Sequence, residues 1–277
     1  MGAGVLQFLR YLEEDRGYSE HTVAAYHADL VQFEGVVGWA GPLDSVARLA
    51  PAKLTQYVQW LHQQGYRQTT VGRKIAAVRS FIKYACSQSD IPFSPFLEVL
   101  EIPRTELAAP ETLSPSALKR LLHPMGADPR ALRDYAILYL MAETGLRPSR
   151  IADLEVDDVD WHNARLNLPF TTVDLQNSFA AIQAYVCEGR PHLARKDGVG
   201  PLFLNRRGSA ISRQGLWMIV KQRAKEAGLE GNITPQILRH TFARHLLERG
   251  SSYRDVQQRM RLSSAHILRI YHKDAVQ

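Results

Sequence analysis

The chain has 277 residues, which suggests two domains or one large one. Apolar residues make up 45% and charged residues 22%, as expected for a globular protein that buries a substantial core. No apolar run approaches the roughly 20 residues that span a bilayer, and the N-terminus lacks a signal-peptide pattern. The two cysteines, Cys86 and Cys187, are too few for a disulfide framework or a cysteine zinc site, which suits a reducing cytosol.

The formal net charge is +6, and the whole surplus lies in the C-terminal part of the chain. Residues 1–104 carry 10 Lys and Arg against 10 Asp and Glu, whereas the remainder carries 24 against 18. A basic surplus favours nucleic acid as a partner. Ordinary surface charge is an equally good explanation until a motif is considered.

Up to residue 102, the hydrophobic periodicity predicts four or five helices. Ser19 is suited to cap a helix that starts near Glu20, and Pro51 suits the first turn of another. Thr69 or Thr70 is predicted to cap a further helix. The buried face of that helix is expected to carry four apolar residues at helical spacing, Val71, Ile75, Val78 and Ile82.

Three cations follow one flank of this last predicted helix, namely Arg73, Arg79 and Lys83. They are candidate DNA-binding residues, because cations along a helix can contact successive backbone phosphates. A solvated helix edge is the alternative explanation for them.

Residues 103–111 contain Pro103 and Pro110 and show no helical periodicity, so they are predicted to form an extended linker. A helical domain over 1–102 is then followed by a second domain over 112–277. In the second domain, the predicted helices cover 115–122, 131–144, 214–227, 234–249 and 253–261, and two short strands are predicted around 165–170 and 201–204. The predicted fold is mainly α with a small β-sheet.

Three short segments of the second domain carry side chains that could act chemically. Arg147 follows the helix-ending Gly145, Arg239-His240 forms a basic pair near a helix start, and Tyr271 lies close to the C-terminus. Each alone has an ordinary explanation, such as a local ion pair, a salt-bridged helix start or a packed aromatic ring. Their order and spacing together are far more specific.

In this order the segments resemble the tyrosine recombinase, or phage integrase, family, and most closely its Xer-like members. The likeness extends over nearly the whole chain and includes residues 16–22, 201–204, 241–250 and Ile270-Tyr271. It implies an N-terminal helical, SAM-like core-binding domain and a C-terminal catalytic domain of the tyrosine-recombinase type. Joined by the linker, the two domains would form a C-shaped clamp around double-stranded DNA.

The resemblance also implies a reaction. Tyr271 would attack a DNA phosphate to form a 3′-phosphotyrosyl bond, which the 5′-hydroxyl of a partner strand would then reverse. Arg147 and Arg239 match the two family arginines that stabilise charge on the phosphate oxygens, a role that suits bidentate guanidinium groups. The family requires no nucleotide, metal or other cofactor. The implied partners are double-stranded DNA and a homo-oligomer on DNA, and the implied location is cytoplasmic and nucleoid-associated, without a membrane.

The sequence departs from the family at positions that assist proton transfer. The family places a general-acid lysine in a β-hairpin between the two arginines, but residues 148–195 contain no lysine, and the hairpin tip looks shortened. Lys196 lies later in the chain. Arg165 is the one cation of the hairpin, and a guanidinium is too weak an acid to protonate a leaving oxygen efficiently. Arg150 stands where the family has an acidic residue.

Two further positions lack the usual proton donor. Gln236 occupies the family's histidine position, and Leu262 occupies its histidine-or-tryptophan position. Glutamine can donate a hydrogen bond but cannot shuttle a proton, and leucine can do neither. His240 matches the family, where its role is closer to structural support, and it is also a candidate DNA contact. His266 and His272 could replace a missing group, although surface histidines near a terminus are the more ordinary explanation.

Three functions stay open at this point. The first is site-specific DNA recombination with weak or lost activity, since general acid–base help is worth about 10²–10⁴ in rate. The second is a catalytically silent relative that binds DNA as an architectural or regulatory factor. The third is a helical interaction protein that binds no DNA, which the basic surplus disfavours. Because only six residues follow Tyr271, any oligomer is expected to assemble without the family's C-terminal docking helix.

Overall fold

The computed structural model describes residues 1–49, 51–102, 110–124, 126–169, 171–195 and 200–262, together with Leu268, Ile270 and Tyr271. The chain divides into two compact units, Met1–Glu106 and Leu107–Gln277. Both are mainly helical and the second contains a small sheet, which confirms the predicted fold class. Residues 103–109 of the predicted linker lie outside the described ranges. None of the helices within these ranges is long and apolar enough to cross a membrane.

The first unit consists of helices whose apolar faces meet in one core. Its helices are α1 (Ala3–Glu14), α2 (Glu20–Val37), a 3-10 helix (Leu43–Arg48), α3 (Pro51–Gln63), α4 (Gln68–Gln88) and the short α5 (Ser94–Leu97). Phe8, Phe33, Tyr57 and Phe81 are buried at the centre. Phe8 packs edge-to-face on Phe81, and Phe33 packs edge-to-face on Tyr57. As predicted, Ser19 caps α2, accepting a hydrogen bond from the Thr22 amide (3.3 Å).

Helix α4 shows the expected buried face but not the expected start. The predicted threonine cap is wrong. The helix begins at Gln68, and the residue at the cap position is Arg67, which has an extended backbone. Thr69 and Thr70 lie within the first turn. No side chain caps this end. All four residues of the predicted apolar stripe are buried, namely Val71, Ile75, Val78 and Ile82.

The second unit is larger and holds a longer series of helices. They are α6 (Pro115–Leu121), α7 (Pro129–Thr144), α8 (Pro148–Ala152), a 3-10 helix (Val156–Asp158), α9 (Asn177–Ala184), a π-helical turn (Tyr185–Gly189), α10 (Arg190–Leu193), α11 (Arg213–Glu226), α12 (Pro235–Glu248) and α13 (Tyr253–Met260). Helix α7 ends at Gly145, whose φ of 58° lies in the left-handed region that favours glycine. This turn directs the following residues, including Arg147, away from the helix axis.

A three-stranded antiparallel sheet follows α8, with strands β1 (Val159–Asp160), β2 (Arg165–Leu168) and β3 (Thr171–Asp174) in that order. Leu168 pairs with Thr171, so β2 and β3 form a tight hairpin. The predicted strand around 201–204 is wrong. Pro201 and Leu204 make only isolated bridges, to Glu155 and Ala210, and a proline has no amide proton with which to continue a ladder.

The second unit has two apolar clusters, and the smaller one supports the candidate site. The larger cluster is centred on α7 and includes residues of the sheet and of α11. The smaller cluster joins α12, α13 and the last described turn, through Phe242, Ala243, Leu246, Val256, Met260 and Leu268. Leu262 and Tyr271 pack against its margin.

Candidate active site

The two candidate arginines are held by the ends of two helices. Arg239, on the first turns of α12, is only 5% exposed. Its Nη1 donates to the carbonyl of Gly145 at the end of α7, and its Nη2 donates to the carbonyl of Met260, 2.5 Å away, at the end of α13. The C-terminal end of a helix carries partial negative charge, so both carbonyls are favourable partners for a cation.

Arg147 contacts the same end of α13. It precedes α8, is exposed, and donates from Nη2 to the carbonyl of Arg261 at 3.1 Å. The carbonyls of the consecutive residues Met260 and Arg261 therefore accept from Arg239 and Arg147 respectively. The structure thus brings together two arginines that lie 92 positions apart in the sequence.

The electrostatics of this pair favour an anion. Burial, and secondarily the positive charge of Arg147, lower the pKa of Arg239 to about 10. Neither guanidinium forms an ion pair with a carboxylate in the part of the chain that is described. Two neighbouring cations without a counter-ion are suited to bind a group that carries negative charge on several oxygens.

Tyr271 lies beside this pair. Its ring packs against the cluster formed by α12 and α13, and its hydroxyl is hydrogen-bonded to Nδ1 of His240. Burial raises the pKa of Tyr271 to about 12, although the charge of Arg239 acts in the opposite direction. The hydroxyl is therefore protonated at neutral pH, and its use as a nucleophile requires a proton acceptor.

His240 and Gln236 form a short chain of contacts that ends at this hydroxyl. Residues four apart on α12 lie on one face, and Gln236 Nε2 is 3.1 Å from Nε2 of His240. If the Gln236 amide nitrogen faces His240, then Nε2 accepts and Nδ1–H donates to Tyr271. If the amide oxygen faces it, Nε2–H donates and Nδ1 accepts the hydroxyl proton of Tyr271. Only the second arrangement makes His240 a base.

Two of the positions considered for the missing proton donor, Leu262 and Arg165, have described surroundings. Leu262 is half-buried and packs against the small apolar cluster. Arg165 of the hairpin forms an ion pair with Asp174, with 2.6 Å between Nε and Oδ1. Lys196, His266 and His272 fall outside the described residues. Arg150 lies on α8 with its Nε buried and without a hydrogen-bond partner in the described ranges.

The candidate DNA-binding cations of the first unit all lie on α4. Arg73 forms an ion pair with Asp29, which also accepts from Nζ of Lys74 at 3.0 Å. Lys83 is exposed and Arg79 is half-buried. Arg73 therefore has a structural partner, whereas its two neighbours on α4 are the clearer candidates for a DNA contact.

Two features of the site were not predicted. The contact between His240 and Tyr271 joins residues 31 positions apart, and no local pattern signals it. Arg261 was not singled out at all, although its main chain holds Arg147. Its only sequence signal is its position at the end of the helix that precedes Leu262.

Comparison with known proteins agrees with this geometry. Residues 111–277 match the phage integrase family, and residues 5–89 match the N-terminal SAM-like domain of phage integrases. The chain therefore belongs to the phage integrase family of tyrosine recombinases, as its sequence indicates.

Similar sequences are Xer recombinases. The chain is 34% identical to tyrosine recombinase XerC of Herpetosiphon aurantiacus, over 96% of this chain and 88% of the relative. It is 31% identical to tyrosine recombinase XerD of Halalkalibacterium halodurans, over 96% of this chain and 91% of the relative. These relatives confirm the Xer-like character.

Among solved structures, the Tn1549 transposon integrase in complex with a circular intermediate DNA has a TM-score of 0.74 at 17% identity, covering 96% of this chain and 94% of that chain. A lambda integrase dimer bound to a COC′ core site has a TM-score of 0.72 at 11% identity, covering 99% of this chain and 96% of that chain. At these identities the likeness shows a shared fold.

Proposed function

We propose that the protein binds double-stranded DNA and cleaves and rejoins it at specific sites through a 3′-phosphotyrosyl bond to Tyr271, at a low rate. One observation carries this proposal. Arg147 and Arg239, without carboxylate partners among the described residues, meet at the end of α13 beside the hydroxyl of Tyr271. A phosphodiester placed there would balance one of the two positive charges of the arginine pair and present its phosphorus to the tyrosine.

The arginines retain donors for a phosphate. A guanidinium has five N–H groups. The described hydrogen bonds of Arg239 engage two of its groups, and that of Arg147 engages one. The remaining groups can donate to the non-bridging oxygens, on which negative charge increases in the transition state. Donors fixed in advance by protein carbonyls lose little freedom when they bind, which is the basis of electrostatic stabilisation.

The proton of Tyr271 would pass to His240. The structure places the Gln236 amide nitrogen toward the ring, so this transfer requires the amide to rotate by half a turn. With the amide oxygen toward the ring, Nδ1 of His240 accepts the phenolic proton as the tyrosine oxygen attacks phosphorus. The bond from phosphorus to the 5′-oxygen then breaks, and that oxygen must gain a proton. In rejoining, a 5′-hydroxyl gives up its proton to water as it attacks phosphorus. The bond from phosphorus to the tyrosine oxygen breaks, and that oxygen recovers its proton from His240.

The leaving oxygen lacks an efficient proton donor. Hairpin residues 165–169 and 171–174 include no lysine, and Leu262 is apolar. Loss of general-acid help lowers the rate by about 10²–10⁴. The nucleophile and the phosphate contacts are retained, so cleavage is slow rather than abolished.

DNA and a second copy of the chain are the proposed partners. The Tn1549 integrase was solved with circular intermediate DNA and the lambda integrase as a dimer on a core site, and the present chain shares their fold. Because the surplus of positive charge lies in the second unit, we place most phosphate contacts there. Activity on chromosomal DNA would locate the protein at the nucleoid in the cytoplasm.

A catalytically silent DNA-binding protein is the second candidate. It is favoured by the position of Arg239, whose two terminal nitrogens already donate to the carbonyls of Gly145 and Met260. If those contacts leave no N–H group of Arg239 directed at the bound phosphate, Arg239 serves the fold rather than the transition state. The protein would then bind DNA as an architectural or regulatory factor.

A covalent adduct assay tests the proposal. The full chain, Tyr271→Phe and the control Tyr139→Phe are incubated with nicked duplexes from the DNA that flanks the gene, and SDS-resistant complexes are measured. We expect a slow adduct with the wild type and Tyr139→Phe and none with Tyr271→Phe. An equal adduct with Tyr271→Phe would exclude this nucleophile. Salt-sensitive binding without any adduct would favour the silent alternative.

A further inference from the structure

Arg261 adopts a backbone conformation that is unfavourable for its residue type. It follows α13 with φ 50° and ψ 54°, in the left-handed region. Helices α2 and α7 end in the same conformation, but there the residue is glycine, Gly38 or Gly145. A Cβ atom makes left-handed backbone strained, and an arginine side chain offers no local hydrogen bond of the kind that helps Asn or Asp. Strained residues that persist cluster at functional sites.

The main chain and the side chain of Arg261 point to two parts of the site. Its carbonyl accepts from Nη2 of Arg147 at 3.1 Å. Its own Nη2 donates to the carbonyl of Pro169, 2.8 Å away, at the tip of the hairpin. A single residue therefore links the arginine pair to the hairpin. The left-handed conformation of Arg261 determines where its carbonyl and its side chain point.

The positive charge of the Arg261 side chain is not balanced by a carboxylate among the described residues. Arg261 is exposed, and it has no ion pair with any carboxylate in the described part of the chain. Of its five N–H groups, one donates to a described residue. The contact with Pro169 fixes the guanidinium without neutralising it, because a carbonyl carries no net charge.

We infer that Arg261 is a third phosphate-binding guanidinium, which the hairpin tip holds beside Arg147 so that it contacts the DNA backbone at the site of cleavage. The inference rests on the proposed function, since it assigns a further contact to the same phosphate site. Arg261 would add positive charge where the phosphate sits. As a very weak acid, it would not replace a proton donor for the leaving oxygen.

The alternative role for Arg261 is to brace the hairpin against α13. The two roles differ in a measurable way. A phosphate contact releases a counter-ion and so contributes about 0.9 to the slope of log K against log salt. A brace contributes to stability and leaves that slope unchanged.

Three variants of the full chain separate these roles, each made in a Tyr271→Phe background so that cleavage cannot affect binding. Arg261→Gly removes the side chain and the backbone strain, Arg261→Met removes the charge and keeps the strain, and Arg254→Gln removes an exposed cation from the same helix. Binding is measured over a salt series with a labelled duplex selected for binding from the flanking DNA, and Tm is measured in parallel.

We expect both Arg261 variants to bind more weakly, with the salt slope reduced by about 0.9, while Tm rises for Arg261→Gly and does not rise for Arg261→Met. Slopes equal to that of the parent, with Tm lowered in both variants, would assign Arg261 to bracing and overturn the inference. The outcome is independent of cleavage. A reduced slope with no wild-type adduct supports Arg261 and refutes the nucleophile, whereas an adduct with unchanged slopes refutes Arg261 alone. DNA binding that does not depend on salt refutes both the inference about Arg261 and the proposed phosphate site.

Discussion

Gly145 has two functions at the candidate site. It closes α7 in the left-handed conformation, and its carbonyl accepts the hydrogen bond of Arg239. A Cβ atom at this position would overlap the ring of Phe242, which belongs to the cluster that supports Tyr271. The packing of α12 therefore depends on the absence of a side chain at this residue.

We predict that Gly145→Ala destabilises the fold by about 2–5 kcal/mol, from backbone strain together with overpacking against Phe242. Urea unfolding measures the change. Gly228→Ala is the matched control, because Gly228 has a similar φ of 62° and nothing within 4 Å of an added Cβ. The control should lose only the strain contribution of about 1–2 kcal/mol. Equal losses in the two variants would contradict a role for the Phe242 contact.

His240 should set the acidic limit of adduct formation. Burial, and secondarily the positive charge of Arg239, lower the pKa of His240 below its usual 6.5. His240 is then neutral at pH 7, and the tautomer with an unprotonated Nδ1 can accept the proton of Tyr271. As the pH falls through the lowered pKa, the ring becomes protonated and can no longer accept. We predict that the adduct rate falls on the acidic side of pH 6.5.

This pH dependence is measured as the initial adduct rate of the wild type, His240→Gln and His245→Gln. His245 is a control on the same helix, half-buried and also with a lowered pKa. The His245 variant should keep the acidic limb. The His240 variant should lose it together with about 10²–10⁴ of the rate. An unchanged limb in His240→Gln would assign the proton to another acceptor.

At the level of elements, α4 presents two cations on one side. Arg79 and Lys83 are four residues apart and so lie one above the other, whereas Arg73 is rotated by roughly a third of a turn from them. Arg73 also pairs with the buried Asp29, so its replacement would disturb the fold of the first unit. Arg79 and Lys83 are therefore the better test of DNA contact by this helix.

We predict that replacing Arg79 and Lys83 together by alanine lowers the salt slope of DNA binding by about 1.8, because each lost phosphate contact contributes about 0.9. The control is Arg10→Ala, which removes an exposed cation from α1. Fluorescence anisotropy over a salt series gives both slopes. If the salt slope of the double variant equals that of Arg10→Ala, Arg79 and Lys83 make no phosphate contact and belong to a solvated helix edge.

The sequence predicted the elements better than their contacts. The apolar periodicity located α2, α3, α4, α6, α7, α11, α12 and α13, because each helix buries one face. The prediction of a strand around 201–204 was wrong, because Leu202, Phe203 and Leu204 are buried in the core without continuous strand pairing. The spacing of apolar residues predicts which residues are buried, but it does not predict their hydrogen-bonding partners.

The candidate site was predicted in part for the same reason. Arg147, Arg239 and Tyr271 were identified by their resemblance to the family, and the structure places them together. The positions of His240 and Arg261 depend on where α12, α13 and the hairpin meet, which is a tertiary property. The left-handed conformation of Arg261 could not be predicted from the sequence, because an arginine is expected to have a negative φ.

At the scale of the whole molecule, the proposed function combines a phosphate site formed by two arginines with too few residues to transfer protons. The arginine pair, Tyr271 and the SAM-like first unit are those expected of a tyrosine recombinase. The residues that would protonate the leaving oxygen are absent from the described hairpin and from position 262. The central claim is therefore that cleavage by Tyr271 is limited by departure of the 5′-oxygen.

Replacement of that 5′-bridging oxygen by sulfur tests this claim most directly, because a thiolate departs without needing a proton. Duplexes carrying the sulfur at successive phosphates of a site selected by binding are compared with ordinary DNA in the adduct assay. We predict that sulfur at the cleaved phosphate raises the adduct rate by about 10²–10⁴, and that Tyr271→Phe gives no adduct with either substrate. Equal rates with oxygen and sulfur, or no adduct with sulfur at any position, would contradict the claim.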